Sequence, residues 1–176
     1  MAGIVFVDCE ASSLRSGSFI TESGCAVVEE RRVHTGACLI RPLAKWSRVS
    51  NGWDPASARL TGISRDLLER EGISPFNAAT RFLNDVGDRL LFSDEPAFDQ
   101  FWVEQLFEAG DVDLGGWKLG DAKKLIAEAA ARHQDPKETL AEAEKAASAQ
   151  VTTRHRAEPD ARRTALVYLW LLDHAL

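Results

Sequence analysis

Five short stretches of the chain have the apolar, β-branched pattern of strands. The first, residues 3–10, is almost continuously apolar until it ends in two acids, which is typical of a central strand buried on both faces. Two further strands are predicted over 24–29 and 33–40, joined by a short hairpin connection. A fourth is predicted over 89–93, and a weak fifth around 112–114.

Helical periodicity occupies most of the remaining chain. Asp54 and Ser74 are suitable N-caps, each followed by a proline at the first helical position. After Ser74, apolar residues from Phe76 to Val86 share one face. Helices are predicted over 54–60, 74–86, 96–110, 119–133, 136–149 and 159–175. This order of elements predicts an α/β fold with a mixed five-stranded sheet flanked by helices.

Length and composition fit a single domain over 1–176. Hydrophobic residues make up 45% of the chain and charged residues 27%, which is ordinary for a globular protein. No apolar run is long enough to span a bilayer, and no basic region marks a secretory signal. Cys9, Cys25 and Cys38 lack metal-binding spacing and are expected to be buried thiols, which favours a reducing, cytoplasmic location.

Two acids stand near the end of the predicted first strand. Asp8 and Glu10 project from one face because strand side chains alternate, while Cys9 faces the other way. Unpaired carboxylates on an apolar strand are destabilising because they lose hydration, so the pair predicts bound cations such as Mg²⁺ or Mn²⁺. The alternative is that the strand simply leaves the core at this point.

A histidine and an acid precede the last predicted helix. Pro159 suits the start of that helix, which places Asp160 in its first turn and on the face that packs against the sheet. His155 lies in the preceding loop and could reach the same space. The alternatives are a helix-capping acid and a surface histidine.

A further acid, Asp99, lies near the start of the predicted helix over 96–110. It is next to Phe98 and one helical turn from Trp102, so it is close to a face with large aromatic side chains. An ordinary acid favoured by the helix dipole is the alternative interpretation.

Taken together, these segments resemble the three motifs of the DEDDh branch of the DEDD exonuclease superfamily. An apolar strand ending in D-x-E matches Asp8 and Glu10, and an acid at a helix start matches Asp99. The pattern H-x4-D matches His155 and Asp160. A T-G-I segment at 61–63 also matches, and the resemblance covers nearly the full chain. Relatives in that superfamily include ribonuclease T, oligoribonuclease and the proofreading subunits of bacterial DNA polymerases.

The resemblance implies a ribonuclease H-like fold and a metal-dependent 3′–5′ exonuclease acting on the 3′ end of single-stranded RNA or DNA. It implies that Asp8, Glu10 and Asp160 bind one divalent cation, Mg²⁺ or Mn²⁺. Asp8 would bridge to a second cation held also by Asp99, and His155 would act as general base. A homodimer is possible, since relatives are often dimeric.

The chain departs from the family pattern in two loops. Residues 11–14 replace the usual two threonines and glycine, and residues 94–96 replace the usual histidine–asparagine pair. Both departures concern substrate specificity more than chemistry. An exonuclease holds a strand end by stacking bases on exposed apolar side chains, and the candidates are Leu14, Trp53 and Phe19.

Three arginines near the last helix, Arg154, Arg156 and Arg162, could contact backbone phosphates or form a solvated basic face. The net charge of −6 is unfavourable for binding nucleic acid, but two divalent cations would change it to −2.

Three alternative functions remain. They are a catalytically inactive nucleic-acid- or protein-binding module on the same fold, a polymerase-associated proofreading subunit, and a different two-metal phosphodiesterase.

Overall fold

The computed structural model describes residues 3–48 and 52–175. In these ranges five strands form one sheet: β1 (Ile4–Ala11), β2 (Ile20–Glu29), β3 (Arg32–Leu39), β4 (Leu90–Ser93) and β5 (Gly120–Asp121). The helices are α1 (Ala44–Ser47), α2 (Pro55–Thr61), α3 (Arg65–Glu71), α4 (Pro75–Val86), α5 (Pro96–Gly110), α6 (Ala122–Ala130), α7 (Pro136–Gln150) and α8 (Ala157–Asp173). None of the helices within the described ranges is long and apolar enough to cross a membrane.

The sheet is mixed, which confirms the fold class predicted from the sequence. Its strand order is β3-β2-β1-β4-β5. The first three strands form an antiparallel meander, whereas β4 is parallel to β1 and β5 is parallel to β4. The carboxyl ends of β1, β4 and β5 consequently meet at one edge of the sheet, where the loops and helix starts that follow them converge.

The central strand β1 is buried on both faces, as its apolar sequence predicts. Val5 and Val7 belong to the main core, which includes buried residues of α4 and α5. Phe6 faces the opposite layer, where its ring centroid lies 5.6 Å from that of Tyr168 on α8. The sheet therefore separates two helical layers, and α8 covers the face opposite to α4 and α5.

Several predicted boundaries differ from the observed ones. The fifth strand is not at 112–114 but at Gly120–Asp121, because Val112 and Leu114 pack against the core from a loop instead of pairing with β4. Strand β2 begins four residues earlier than predicted, and α8 begins two residues before Pro159. Phe76, expected on the buried face of α4, is 57% exposed.

Candidate active site

The end of β1 places two acids on one face of the sheet. Asp8 and Glu10 alternate with Cys9, so the two carboxylates point to the same side. Asp8 lies opposite Gly24, and Glu10 lies opposite Glu22, in the antiparallel pairing with β2. The register shifts just after Glu10, so regular pairing ends next to the acids. Both side chains therefore stand at the sheet edge where β1 leaves the core.

Asp99 reaches the same edge from the first turn of α5. Its residue is only 4% exposed. The backbone N–H of Cys9 donates to Asp99 Oδ1 at 3.1 Å, and the Ser93 hydroxyl donates to Asp99 Oδ2. These donors belong to β1 and to the end of β4. The acid is therefore tied to both strands and held in a fixed position.

The segment before α8 brings His155 and Asp160 to this edge as well. His155 has a φ of 57°, and its backbone N–H donates to Asp160 Oδ2 at 2.7 Å. Asp160 Oδ1 is buried and has no hydrogen-bond donor within the described chain, although Arg154 Nε lies 3.2 Å from it. His155 is exposed and lines the same cavity as the acids. The histidine can therefore meet a molecule that enters the cavity.

Five carboxylates gather into two groups that share one member. The first carboxylate group consists of Asp8, Glu10 and Asp160, and the second carboxylate group consists of Asp8, Asp94 and Asp99. In each group the three ligand oxygens lie within 4.8 Å of one another. Mg²⁺ and Mn²⁺ prefer oxygen ligands of this kind, and the Asp160 oxygen without a donor suits a cation. The residues present therefore fit two divalent cations.

Burial and the repulsion of neighbouring acids make three of these carboxylates, Asp8, Glu10 and Asp99, hard to ionise without cations. Burial first, and then the charges of Asp99 and Glu10, raise the pKa of Asp8 to about 10. Burial and the carboxylate of Glu22 raise the pKa of Glu10 to about 7. Burial likewise raises the pKa of Asp99 to about 7. Nearby positive charge would favour the ionised form of each acid, so the electrostatics of the site favour the binding of cations.

The acids line a cavity of about 410 Å³ whose other residues are partly apolar. Leu14 and Phe98, on the loop after β1 and on α5, are 84% and 56% exposed and line this cavity. Leu60 and Thr61 line it from α2, the helix that ends in the T-G-I segment. Exposed apolar side chains beside half-buried and buried carboxylates give the cavity two chemically different parts, one suited to cations and the other to a flat apolar group.

Two of the three residues expected to stack on a base lie elsewhere. Phe19 is 1% exposed and stacks on Trp46 with ring centroids 5.5 Å apart, which corrects that expectation because the ring is part of the core. Trp53 is half-buried, and the Arg65 guanidinium lies 4.9 Å from the centroid of its ring. Neither Phe19 nor Trp53 is among the residues lining the cavity, whereas Leu14 is.

Sequence reasoning missed Asp94, Leu60 and the role of Phe98. A signal for Asp94 existed, because it directly follows the predicted fourth strand. Carboxyl ends of neighbouring parallel strands meet at one sheet edge, so an acid just after β4 would be expected near Asp8. For Leu60 there was no comparable signal, because its exposure depends on how α2 lies against the sheet.

Comparisons by sequence and by structure give different results. No protein-family model matches the sequence, and no curated protein matches it. Solved structures of exonuclease I do match the fold. E. coli exonuclease I in complex with a dA16 oligonucleotide superposes with a TM-score of 0.72 at 14% identity, covering 99% of this chain. A zinc-bound complex of the E. coli enzyme with single-stranded DNA gives 0.70 at 14% identity and 99% coverage. The exonuclease I of Methylocaldum szegediense gives 0.66 at 11% identity and 99% coverage.

The chain has the exonuclease I fold. The ribonuclease H-like architecture implied by the sequence motifs is thereby confirmed. The chain spans 41% of the length of each of these three exonuclease I chains. The likeness therefore concerns the fold of this domain, and the chemistry has to be argued from its own residues.

Proposed function

We propose that this chain is a metal-dependent 3′–5′ exonuclease that hydrolyses phosphodiester bonds at the 3′ end of single-stranded nucleic acid. The observation that carries the proposal is the pair of carboxylate groups sharing Asp8 in a cavity with an apolar part. The four acids and the histidine identified by the motif resemblance all line this cavity. The exonuclease I fold, matched over 99% of the chain, supports the same function.

The two carboxylate groups would hold two divalent cations, Mg²⁺ or Mn²⁺. Asp8 contributes to both groups and would bridge the cations, while Glu10 and Asp160 serve one and Asp94 and Asp99 serve the other. Such cations stabilise the attacking and leaving oxygens of a phosphodiester during in-line displacement. A bound cation favours the ionised form of each acid, and the ionised carboxylates would supply the negative charge that retains the cations.

His155 would accept the proton of the attacking water. Its exposed side chain lies in the cavity, and its backbone N–H is fixed to Asp160. A general base must come within hydrogen-bond reach of the proton that it removes, and imidazole exchanges protons near neutral pH. This position, on a loop beside the first carboxylate group, suits that role.

Leu14 and Phe98 would hold the terminal base. Both are exposed apolar side chains in the same cavity as the carboxylates. Stacking on such side chains tolerates every base, because each base has a π-face. This arrangement favours a strand end with unpaired bases over a duplex.

We favour single-stranded DNA as the first substrate to test, with RNA beside it. Two of the matched exonuclease I structures are complexes with a dA16 oligonucleotide and with single-stranded DNA. Both nucleic acids enter the assay. The homodimer and the polymerase-associated subunit stay predictions, to be tested by light scattering and by pull-down with a polymerase.

The test is the degradation of 5′-labelled single-stranded DNA and RNA oligonucleotides with Mg²⁺, Mn²⁺ or EDTA. We expect a ladder that shortens from the 3′ end with metal and is absent with EDTA and in Asp8→Ala. Asp66→Ala, which removes an exposed acid on α3, is the matched control and should keep the activity. Oligonucleotide binding without shortening under any condition would overturn the proposal in favour of an inactive binding module.

A further inference from the structure

A sixth acid is buried beside the site without belonging to either carboxylate group. Glu22 on β2 is 3% exposed and lies directly opposite Glu10 on β1. A buried carboxylate next to other acids is destabilising unless a cation or several hydrogen-bond donors compensate it. Its position therefore needs an explanation that the two carboxylate groups do not supply.

Arg156 compensates the charge of Glu22. Its Nε donates to Glu22 Oε2 at 2.9 Å and its second guanidinium nitrogen donates to Oε1 at 2.5 Å, which is a bidentate pair. Arg156, for which the sequence left both a phosphate contact and a solvated basic face open, is instead paired with Glu22. The pair joins the first residues of β2 to the N-cap of α8.

Glu22 also caps the last helix. Oε2 accepts the backbone N–H of Ala157 at 2.9 Å, the first residue of α8. The N-cap residue of that helix, Arg156, makes no side-chain cap hydrogen bond of its own. The first N–H groups of a helix need acceptors, and a carboxylate there is also favoured by the helix dipole. A strand residue thus performs the capping that the local sequence lacks.

Gly24, two residues along β2, lets the helix start come this close. A Cβ atom at this position would lie 2.7 Å from the carbonyl oxygen of Ala157, nearer than real Cβ contacts allow. Gly24 is also the residue opposite Asp8 in the β1–β2 pairing. We call Glu22, Gly24, Arg156 and Ala157 the α8 anchor, because together they seat the start of α8 on β2.

Two members of the α8 anchor, Arg156 and Ala157, lie between His155 and Asp160 in the chain. His155 directly precedes Arg156, and Asp160 follows Ala157 by three residues. We propose, on the basis of the function proposed above, that Glu22 is a positioning residue. By fixing Arg156 and the first N–H of α8, it sets the place of His155 and Asp160 relative to Asp8 and Glu10.

Stability alone does not require this arrangement. Replacing a buried ion pair by apolar residues of similar volume is often neutral or stabilising, so an apolar contact could attach α8 to the sheet equally well. A bidentate pair with an additional backbone N–H donor fixes direction as well as distance. A residue that only stabilised the fold would change unfolding, whereas a positioning residue changes cation affinity and turnover as well.

The first experiment compares Glu22→Gln with Arg156→Lys and with a matched control, Glu29→Gln. Glu29 lies on the same strand and pairs with Arg89 at 3.1 Å, but it is exposed and away from the cavity. Removing a residue that orients metal ligands costs about 10–100-fold in metal affinity or activity. We expect such a loss in turnover and in Mn²⁺ affinity for Glu22→Gln, a smaller loss for Arg156→Lys, and KM within about 3-fold of the unaltered chain because the base-holding residues are untouched.

Hydrogen exchange of the His155 amide gives a readout that needs neither metal nor activity. That N–H is bonded to Asp160, so loosening the α8 anchor should speed its exchange at least about 10-fold in Glu22→Gln and leave it unchanged in Glu29→Gln. Unchanged amide exchange and unchanged Mn²⁺ affinity in Glu22→Gln would overturn the inference. If the unaltered chain binds Mn²⁺ but never shortens an oligonucleotide, the proposed function fails, and these two readouts still decide the role of Glu22.

A second variant covers the case in which Glu22→Gln does not fold because Arg156 is left unpaired. Glu22→Met combined with Arg156→Leu removes both charges, which buried sites often tolerate. We expect this protein to fold and to show the same losses of Mn²⁺ affinity and His155 amide protection. Unaltered values in the double variant would overturn the inference. Failure of both variants to fold would make Glu22 a determinant of folding, and would overturn it too.

Discussion

The two carboxylate groups share Asp8 but differ in what balances their charge. In the first group, Arg154 Nε lies 3.2 Å from Asp160 Oδ1, and its guanidinium side chain is half exposed. In the second group, Asp99 is held by the backbone N–H of Cys9 and by the hydroxyl of Ser93. Asp160 in the first group is thus balanced by a half-exposed arginine side chain beside the backbone N–H of His155, whereas Asp99 in the second group is held by donors that belong to the sheet.

This difference indicates how each group would respond to a bound metal. The half-exposed guanidinium of Arg154 can move into solvent when a divalent cation takes its place beside the buried Asp160 Oδ1. Strand donors cannot move, so Asp99 keeps its position whether or not a cation is present. The first group is expected to rearrange on metal binding and the second to remain as it is. Asp94 supplies the second group with an additional carboxylate that the sequence motifs do not include.

Removing the shared acid should have the largest effect. Asp8→Asn takes a ligand from both groups at once, so we expect a loss of activity of at least about 10³-fold and weaker binding of both cations. The measurement is nuclease rate together with Mn²⁺ titration by calorimetry, with Asp66→Asn as control. Retention of one cation at unchanged affinity would show that Asp8 is not shared.

Removing Asp94 should weaken the second carboxylate group without changing the first. Asp94→Asn leaves the first carboxylate group intact, so we expect one of two Mn²⁺ binding events to weaken and activity to fall about 10–100-fold. Calorimetry resolves the two events, and the steady-state rate at saturating Mn²⁺ shows how much activity returns. Two unchanged binding events in Asp94→Asn would mean that the second group consists of Asp8 and Asp99 alone.

The pH dependence of folding stability tests whether the negative charges of the acids are uncompensated when no metal is bound. The folded-state pKa values of Asp8, Glu10 and Asp99 are raised to about 10, 7 and 7, whereas such carboxyls titrate near pH 4 in an unfolded chain. The folded state therefore holds more protons between these limits, and stability falls as pH rises.

We accordingly expect the Tm of EDTA-treated protein to fall from pH 5 to pH 8, by about 2–4 °C for each kcal/mol lost. Mn²⁺ should reverse most of the fall at pH 8, because it binds only the folded, ionised site. Scanning calorimetry of the full chain measures both, and Asp8→Asn should show a shallower slope. A Tm in EDTA that stays level or rises from pH 5 to pH 8 would show that the folded state does not bind more protons than the unfolded state.

The sequence predicted the fold better than it predicted the substrate side of the site. The period of apolar residues and the placement of acids at strand and helix ends are local, so strands β1 to β4 and the position of Asp99 could be predicted, whereas the fifth strand was misplaced. Which aromatic residues face the cavity depends on packing between distant elements. Phe19 was a candidate for stacking on a base, but Trp46 on α1 stacks on its ring. The role of Glu22, which precedes the strand predicted over 24–29, could not be predicted because its partner, Arg156, is 134 positions away.

The smallest expected effect concerns Arg154, whose guanidinium lies beside Asp160 in the first carboxylate group. Arg154→Ala removes a positive charge that competes with metal for Asp160, so we expect Mn²⁺ to bind about 2–5-fold more tightly. The free energy of unfolding without metal should fall by at most about 1 kcal/mol.

If Arg154 also contacts a backbone phosphate, its removal raises KM for an oligonucleotide while it increases Mn²⁺ affinity. Weaker substrate binding together with tighter metal binding would therefore distinguish the two roles of Arg154. Weaker Mn²⁺ binding in Arg154→Ala would show instead that the guanidinium holds Asp160 in place, and that the first group is as fixed as the second.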